Sequence, residues 1–219
     1  MGAVLDEVLG DAQHRGFLGT GTPADFVRHA RGYLQGLTDA EALGDGIDLG
    51  SGGGIPGLVL AADLPETQWD LIERGRARAD WLTRSVGRLG LRDRVTVRHE
   101  AAEVTGRGPL RATAGFVVAR RFAAPAVAAE CAAPLLRVGG RAVFSDLGPS
   151  GPLSGKLGSS DLSRGDSTRW DEAALDSLGL YLVRTWRGDV GTYVLLEQRS
   201  PCPQRFPRSP GVPARRPLF

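Results

Sequence analysis

A chain of 219 residues, 42% of them hydrophobic, can bury a substantial core, which excludes wholesale disorder. No apolar run approaches the roughly 20 residues that span a bilayer, and the first residues lack a basic-then-apolar leader, so we expect a cytoplasmic protein without a membrane segment. The net charge is only +2, and the two cysteines lie far from any histidine cluster, which predicts no metal site.

The hydrophobic pattern predicts elements in a regular order along the chain. Two helices come first, and the second begins with Thr22-Pro23, a helix-starting sequence. Strands and helices then alternate, and a helix and two strands end the pattern. The helices are predicted at 3–14, 22–37, 55–62, 76–90, 124–136 and 171–179, and the strands at 46–50, 69–73, 94–100, 115–119, 141–146, 179–186 and 192–200.

This alternation is typical of a parallel sheet with helices on both faces. The last two strands are joined by a turn at 188–191, which predicts a hairpin at the end of the sheet. The segment 148–169 is rich in Gly, Ser and Pro, and we interpret it as a disordered insertion or a mobile lid.

The stretch IDLGSGGGIPGLVLA at 47–61 carries the strongest chemical signal. Small residues between a strand and a helix let the backbone approach a ligand closely. The spacing Gly52-x-Gly54-x-x-Gly57 fits the fingerprint of a nicotinamide dinucleotide enzyme. The spacing Asp48-x-Gly50-x-Gly52-x-Gly54 fits the S-adenosylmethionine loop of methyltransferases equally well.

Three features favour the methyltransferase interpretation. Asp48 ends its strand where a carboxylate can meet a cationic amino group, and Glu73 ends the next strand, where it can accept ribose hydroxyls. The stretch LLRVGGRAVF at 135–144 is common before the fifth methyltransferase strand, and no proton-handling dyad of a dehydrogenase stands out. Glu73 alone would also fit a dinucleotide enzyme.

We therefore predict an α/β fold, a Rossmann-like, doubly wound methyltransferase sheet with a C-terminal antiparallel hairpin strand and short N-terminal helices. Residues 1–40 would form the N-terminal helices on the substrate side, and 41–199 the domain that binds S-adenosylmethionine. Residues 200–219 would form a basic, Pro-rich tail, since 199–219 contain five arginines and no acid.

Further motifs are similar to those of the GidB or RsmG family, the bacterial methyltransferases of a guanine N7 in small-subunit ribosomal RNA. DLGSGGGIPGLVLA resembles the family's D-[VL]-G-S-G-A-G-x-P-G-[IL]-x-L-A, and DFVRHARGYL resembles its histidine-bearing helix, usually RHxxDSL. HEAAEV and VVARRF resemble the turns after its third and fourth strands. PQRFPRSPGVPARRPLF resembles its ending YPRRxGxPxKxPL, so the resemblance covers roughly residues 20–219.

This resemblance implies a role for residues in three groups. The cofactor contacts would be Asp48, Gly50, Ser51, Gly52, Gly54, Glu73, Ala102, Glu103 and Arg120, with Ala102 and Glu103 beside the adenine. The catalytic candidates are Arg120, near the methyl-transfer site, and His29. The substrate-binding candidates are Arg121, Arg208, Arg215 and Arg216.

The chemistry of a guanine N7 acceptor limits what these residues need to do. N7 is an exposed lone pair, so no general base is required, and an arginine near O6 could orient the base. We predict Arg120 or Arg121 in that role, although Arg120 could instead pair with a carboxylate or cap a strand end. His29 would act as a base only for an oxygen or amine acceptor.

Departures from the family pattern leave two other functions open. The chain lacks a WNxxxNLT segment before the His29 helix, and Ser145-Asp146 stands where Lys-Gly is common. Arg121 replaces a small residue, and Gly115 stands where an acid is common. The alternatives are a methyltransferase of a small molecule, such as a natural product, and a non-catalytic protein that binds the cofactor. The tail arginines could contact RNA phosphates or only pack on the domain.

Overall fold

The protein's structure, a computed structural model, describes residues 2–37, 44–146 and 169–219. Our interpretation of 148–169 as an insertion or lid falls, except for its last residue, outside these ranges. The same is true of the predicted boundary between residues 40 and 41, so the division into three parts stays a prediction.

One seven-stranded sheet organises the described residues. Its strands are β1 (Gly46–Leu49), β2 (Trp69–Ile72), β3 (Val95–Arg98), β4 (Ala114–Arg120), β5 (Leu136–Asp146), β6 (Leu180–Gly188) and β7 (Gly191–Gln198). The order is β3-β2-β1-β4-β5-β7-β6, and β1 to β5 pair in parallel. β7 lies antiparallel between β5 and β6, which confirms the predicted hairpin insertion.

Helices cover both faces of the sheet, as the alternation predicts. They are α1 (Gly2–His14), α2 (Pro23–Arg31), α3 (Leu34–Leu37), α4 (Gly57–Asp63), α5 (Arg76–Arg88), α6 (Ala102–Thr105), α7 (Pro125–Ala132), α8 (Glu172–Ser177) and α9 (Val212–Arg215). Residues of α1 to α5 build one buried core, and residues of α6, α7 and α8 build the other. None of the described helices is long and apolar enough to cross a membrane.

The predicted helix 22–37 is two helices with a break at Gly32-Tyr33. It begins as predicted, because the Thr22 hydroxyl accepts from the Asp25 amide while the Asp25 carboxylate accepts from the Thr22 amide. Tyr33 points into the core from the break and is fully buried.

The predicted helix 124–136 was too long, and the predicted strand 141–146 too short. α7 ends at Ala132, and β5 already begins at Leu136, with a change of register between the pairs Ala114↔Leu136 and Phe116↔Arg141. Pro134 explains the early end, because it has no amide hydrogen to donate to the Glu130 carbonyl and so cannot continue the helical hydrogen bonds.

Candidate functional site

The glycine loop after β1 lies against the end of β2. Gly50, Gly52 and Gly54 have φ of +68°, +52° and +84°, a region that favours glycine. The amides of Gly50 and Ser51 donate to the Ile72 carbonyl at 2.9 and 3.0 Å. The loop therefore forms a backbone surface at the carboxyl edge of the sheet, where α/β proteins bind ligands.

Asp48 is a fully buried carboxylate with one free oxygen. Its Oδ2 accepts from the Gly57 amide at 3.0 Å, and a Cβ at Gly57 would lie 2.5 Å from that oxygen. Its Oδ1 has no partner among the described residues. Burial, and to a smaller extent the charge of Glu73, raise the pKa of Asp48 to about 7. An unpaired buried acceptor of this kind suits a cationic amino group.

Glu73 ties the end of β2 to the glycine loop. It is only 5% exposed, and its Oε2 accepts from the Gly52 amide at 3.0 Å while Oε1 accepts from the Gly75 amide at 2.7 Å. Each carboxylate oxygen has a second lone pair, so both can accept another hydrogen bond. Together, the free oxygen of Asp48 and the carboxylate of Glu73 fit a ligand that carries an ammonium group and vicinal hydroxyls.

Ala102 and Glu103 lie on α6, beyond the end of β3. Ala102 is buried in the second core. Glu103 is half-buried, and its Oε1 accepts from the Gly211 amide at 3.0 Å. Glu103 therefore holds the C-terminal tail beside the region in which the family resemblance puts the adenine.

Arg120 is the last residue of β4, and Arg121 follows it in different surroundings. The guanidinium of Arg120 is half-buried and lies over the Phe26 ring, 5.5 Å from its centroid. Arg120 forms no ion pair with any described residue, so the alternative that it pairs with a carboxylate is not seen in the described part of the chain. Its charge also lowers the pKa of Asp48. Arg121 is exposed and has φ of +50°.

His29 lies inside an aromatic cluster and is only 8% exposed. Its ring contacts those of Tyr33 and Tyr193, with centroid distances of 5.8 and 5.5 Å. Burial and then the charges of Arg120 and Arg121 lower the pKa of His29 to about 4. His29 is therefore neutral at pH 7, and its Nδ1 has no partner among the described residues.

The tail, residues 200–219, is packed on the domain through Arg111. This guanidinium donates to the carbonyl of Phe206 at 2.7 Å, to that of Cys202 at 2.8 Å and to that of Pro203 at 3.1 Å. The Phe206 ring is buried in the second core. No sequence pattern distinguishes Arg111 from the many other arginines of the chain.

Among the predicted substrate-binding arginines of the tail, Arg208 has a partner inside the protein. Its Nε and Nη2 donate to the fully buried Glu130 on α7, with the shortest distance 2.6 Å. A lone acid in the apolar helix sequence around Glu130 was the signal that could have found this pair, since a buried acid needs a partner. Arg215 and Arg216 are exposed at the end of α9.

A solvent-open cleft of about 460 Å³ lies at the carboxyl end of β4, β5 and the start of β7. Its described lining includes Arg121, Phe122, Ser145 and Trp170. Phe122 also packs directly on the glycine loop, because a Cβ at Gly50 would lie 2.7 Å from its ring. Phe122 thus contacts both this cleft and the loop. The described residues contain no group of His, Cys, Asp or Glu side chains that could hold a metal.

Solved structures of methyltransferases are similar to this fold. The S-adenosylmethionine-dependent O-methyltransferase of Thermotoga maritima matches with a TM-score of 0.59 over 88% of this chain and 71% of that chain, at 13% identity, which shows a common fold. Together with the match of residues 7–145 to the model of a methyltransferase family, this fold makes the chain a class I S-adenosylmethionine-dependent methyltransferase.

The family follows from the sequence matches. The model of the GidB family, rRNA small subunit methyltransferase G, matches residues 7–145, and the chain belongs to this family. The ribosomal RNA small subunit methyltransferase G of Prochlorococcus marinus (strain MIT 9313) is 38% identical over 78% of this chain and 67% of that protein. Its namesake in Syntrophomonas wolfei subsp. wolfei is 32% identical over 78% and 76%.

The chain spans about two thirds of the length of several of these relatives. Family membership therefore establishes the class of enzyme, while the methyl acceptor of this chain is a separate question.

Proposed function

We propose that this enzyme transfers a methyl group from S-adenosylmethionine to N7 of a guanine in small-subunit ribosomal RNA. The observation that carries the proposal is the match of residues 7–145 to a family described as rRNA small subunit methyltransferase G. A cytoplasmic location beside ribosomes in assembly, and the small ribosomal subunit or its RNA as partner, belong to the same proposal.

The cofactor would be held by the glycine loop and the two carboxylates beside it. Asp48 Oδ1 is free to accept from the amino group, and Glu73 is placed to accept from the ribose hydroxyls. Gly50, Ser51, Gly52 and Gly54 would supply backbone around it, and the family resemblance would put Ala102 and Glu103 beside the adenine. When bound, S-adenosylmethionine supplies an electrophilic methyl group on a sulfonium centre.

The protein's own task is to orient the acceptor and exclude water. Arg120 has its guanidinium free of ion pairs with described residues and is near Asp48, so it can donate to O6 of a guanine while leaving N7 open. Arg121 and the aromatic wall of the cleft, Phe122 and Trp170, can receive the base. His29 is neutral at pH 7, and since a guanine N7 acceptor requires no base, it would serve there as a hydrogen-bonding group.

The exposed end of the tail supplies charge for the RNA backbone. Arg215 and Arg216 project from α9, which Glu103 anchors through the Gly211 amide. Arginines pair well with phosphate, and each contact adds salt-sensitive affinity. Arg208 serves this surface indirectly, by fixing the tail to Glu130.

The test is transfer of tritiated methyl groups to small-subunit particles and to naked ribosomal RNA, both from a strain that lacks the guanine-N7 enzyme. We expect incorporation into the ribosomal RNA, and none when the particles come from a strain whose RNA already carries the methyl group. No incorporation into either form by protein that binds the cofactor would overturn the proposal. A non-catalytic cofactor-binding protein would then be the remaining interpretation if small acceptors also fail.

A small-molecule acceptor is a second candidate, and one observation favours it. The wall beside Arg120 contains the uncharged Ser145, where Lys is common in the family pattern. An uncharged wall suits a neutral small molecule better than a phosphate-bearing nucleotide. Transfer to a panel of phenols and amines, in the absence of transfer to RNA, would establish this candidate.

A further inference from the structure

Tyr33 joins the N-terminal helices to the carboxyl edge of the sheet through one hydroxyl group. The side chain is fully buried. Its hydroxyl donates to the Ala119 carbonyl at 2.9 Å and shares a short hydrogen bond with Oγ of Ser145. A phenol has one proton, and the carbonyl can only accept, so Ser145 is the donor in the second bond.

The two partners of this hydroxyl flank Arg120. Ala119 precedes it on β4, and Ser145 is its neighbour across the β4–β5 pairing. Pairing between β4 and β1 ends at Val118. The last two residues of β4 are therefore held by β5 on one side and by the Tyr33 hydroxyl.

The side chain of Arg120 depends on the same N-terminal helices. Its guanidinium lies over Phe26 of α2, and no carboxylate among the described residues pairs with it. A cation over an aromatic face is attracted only modestly. The direction of the guanidinium therefore relies on the position of the strand end from which it projects.

The Tyr33 ring has little freedom to move. It packs edge-on against Tyr193, with centroids 5.1 Å apart, and against His29. The Tyr193 hydroxyl donates to the His29 carbonyl at 2.7 Å, and it fills the space that a Cβ at Gly32 would need. Loss of the Tyr33 hydroxyl alone would therefore leave the ring in place.

Three departures from the family pattern meet at this contact. The pattern RHxxDSL has Asp and Ser where this chain has Gly32 and Tyr33, and Lys is common where this chain has Ser145. Gly32 makes room for Tyr193, while Tyr33 and Ser145 bond to each other. The three changes are complementary, which indicates that this chain holds the end of β4 through contacts that differ from those of the family pattern.

We propose that Tyr33 is a positioning residue for methyl transfer, whose hydroxyl fixes the end of β4 and so holds Arg120 toward the acceptor. The inference rests on the proposed function in that Arg120 orients the acceptor. It concerns a residue behind Arg120, since Tyr33 is buried and its hydroxyl bonds to Ala119 and Ser145, the neighbours of Arg120 in the sheet.

The first test compares Tyr33→Phe with Tyr193→Phe, which removes a buried hydroxyl from the same cluster without touching β4. We expect Tyr33→Phe to lower kcat about tenfold at unchanged cofactor Kd, because small misplacements of a catalytic group are costly. Tyr193→Phe should keep kcat within about twofold at a similar change in Tm. In an Arg120→Ala background, Tyr33→Phe should cost nothing further.

A second readout needs no acceptor. The Nε–H resonance of Arg120 in ¹⁵N-labelled protein, assigned by its loss in Arg120→Lys, should shift or broaden in Tyr33→Phe and stay unchanged in Tyr193→Phe. An unchanged resonance, an equal loss of kcat in both tyrosine variants or an additional loss in the Arg120→Ala background would overturn the positioning role. Failure of the unaltered enzyme to methylate RNA would overturn the proposed function, and the resonance would still decide the role of Tyr33.

Discussion

The cofactor edge and the acceptor side of this enzyme are built in different ways. At the cofactor edge, the glycine loop and Glu73 hold each other through backbone amides, and the contacts join residues of two adjacent strands. On the acceptor side, Arg120 is supported by Tyr33 and Phe26 from the N-terminal helices, and the tail is held by Arg111, Glu130 and Glu103. The first region tolerates little change in its own residues, whereas the second can be altered by changes far along the chain.

The largest effect should come from the cofactor edge. Asp48→Ala removes the carboxylate that faces the amino group, and Gly52→Val forces a branched residue into φ of +52°. We expect each to weaken cofactor binding about 100-fold or more, in line with the loss of a charged hydrogen bond or severe backbone strain. Calorimetric titration measures this, with the exposed Glu66→Ala as a control that keeps its affinity. Undiminished affinity in Asp48→Ala would remove the assignment of this edge.

The next effect should fall on stability at the acceptor side. Arg208→Ala leaves Glu130 buried without its partner, and we expect a loss of about 2–3 kcal/mol in the free energy of unfolding. Arg216→Ala, an exposed change of the same type, should cost less than about 0.5 kcal/mol. Urea denaturation measures the free energy of unfolding of both variants and so distinguishes the two expected losses. Equal stability of both variants would mean that the tail does not depend on this ion pair.

The pH dependence of stability should report Asp48. Its pKa is raised on folding from 3.8 to about 7, so the folded state favours the protonated carboxyl. The stability that this gives is present below pH 4 and is lost as the pH rises through 7, by about 2–3 kcal/mol between pH 5 and 8. Asp48→Asn should remove this loss in the cofactor-free protein.

His29 acts in the opposite direction, because its pKa is lowered on folding from 6.5 to about 4. Its contribution to the free energy of unfolding is present above pH 6.5 and is lost as the pH falls through 4. The informative quantity is therefore the difference in the free energy of unfolding between the unaltered protein and Asp48→Asn at each pH. The His29 contribution cancels in this difference. The same pH profile in both proteins would contradict the raised pKa of Asp48.

The smallest effect should come from the exposed end of the tail. Arg215→Ala with Arg216→Ala should weaken RNA binding several-fold and reduce the salt dependence of log K by about 1–2 units of slope. Cofactor affinity should stay unchanged. The matched control is Arg84→Ala with Arg92→Ala, which removes two exposed arginines elsewhere. If both double variants weaken RNA binding equally, binding depends on the overall positive charge and not on a surface formed by the tail.

The same contrast explains what the sequence could predict. The strand order, the inserted hairpin and the glycine loop follow from local patterns, because alternation and glycine spacing are set by short-range geometry. The helix end at Ala132 could also have been predicted, because helices usually end before a proline and Pro134 follows. The predicted helix 124–136 did not take this into account.

The acceptor side was harder to predict because its contacts join distant segments. Nothing local to Tyr33 indicates that its hydroxyl reaches Ala119 and Ser145, far along the chain. The partner of Arg208 could be guessed only by asking which buried acid lacked a cation, and Glu130 is that acid. The glycine at position 32 is required by Tyr193, whose hydroxyl occupies the place of a Cβ.

The central claim is a methyl group on guanine N7 of small-subunit ribosomal RNA. The most direct measurement is nucleoside mass spectrometry of that RNA after reaction with the enzyme and isotope-labelled S-adenosylmethionine, with RNA from a strain that lacks the modification. The account predicts labelled 7-methylguanosine, about one per RNA molecule, and no other labelled nucleoside. Label in a different nucleoside, or unlabelled RNA from an enzyme preparation that binds the cofactor, would contradict it.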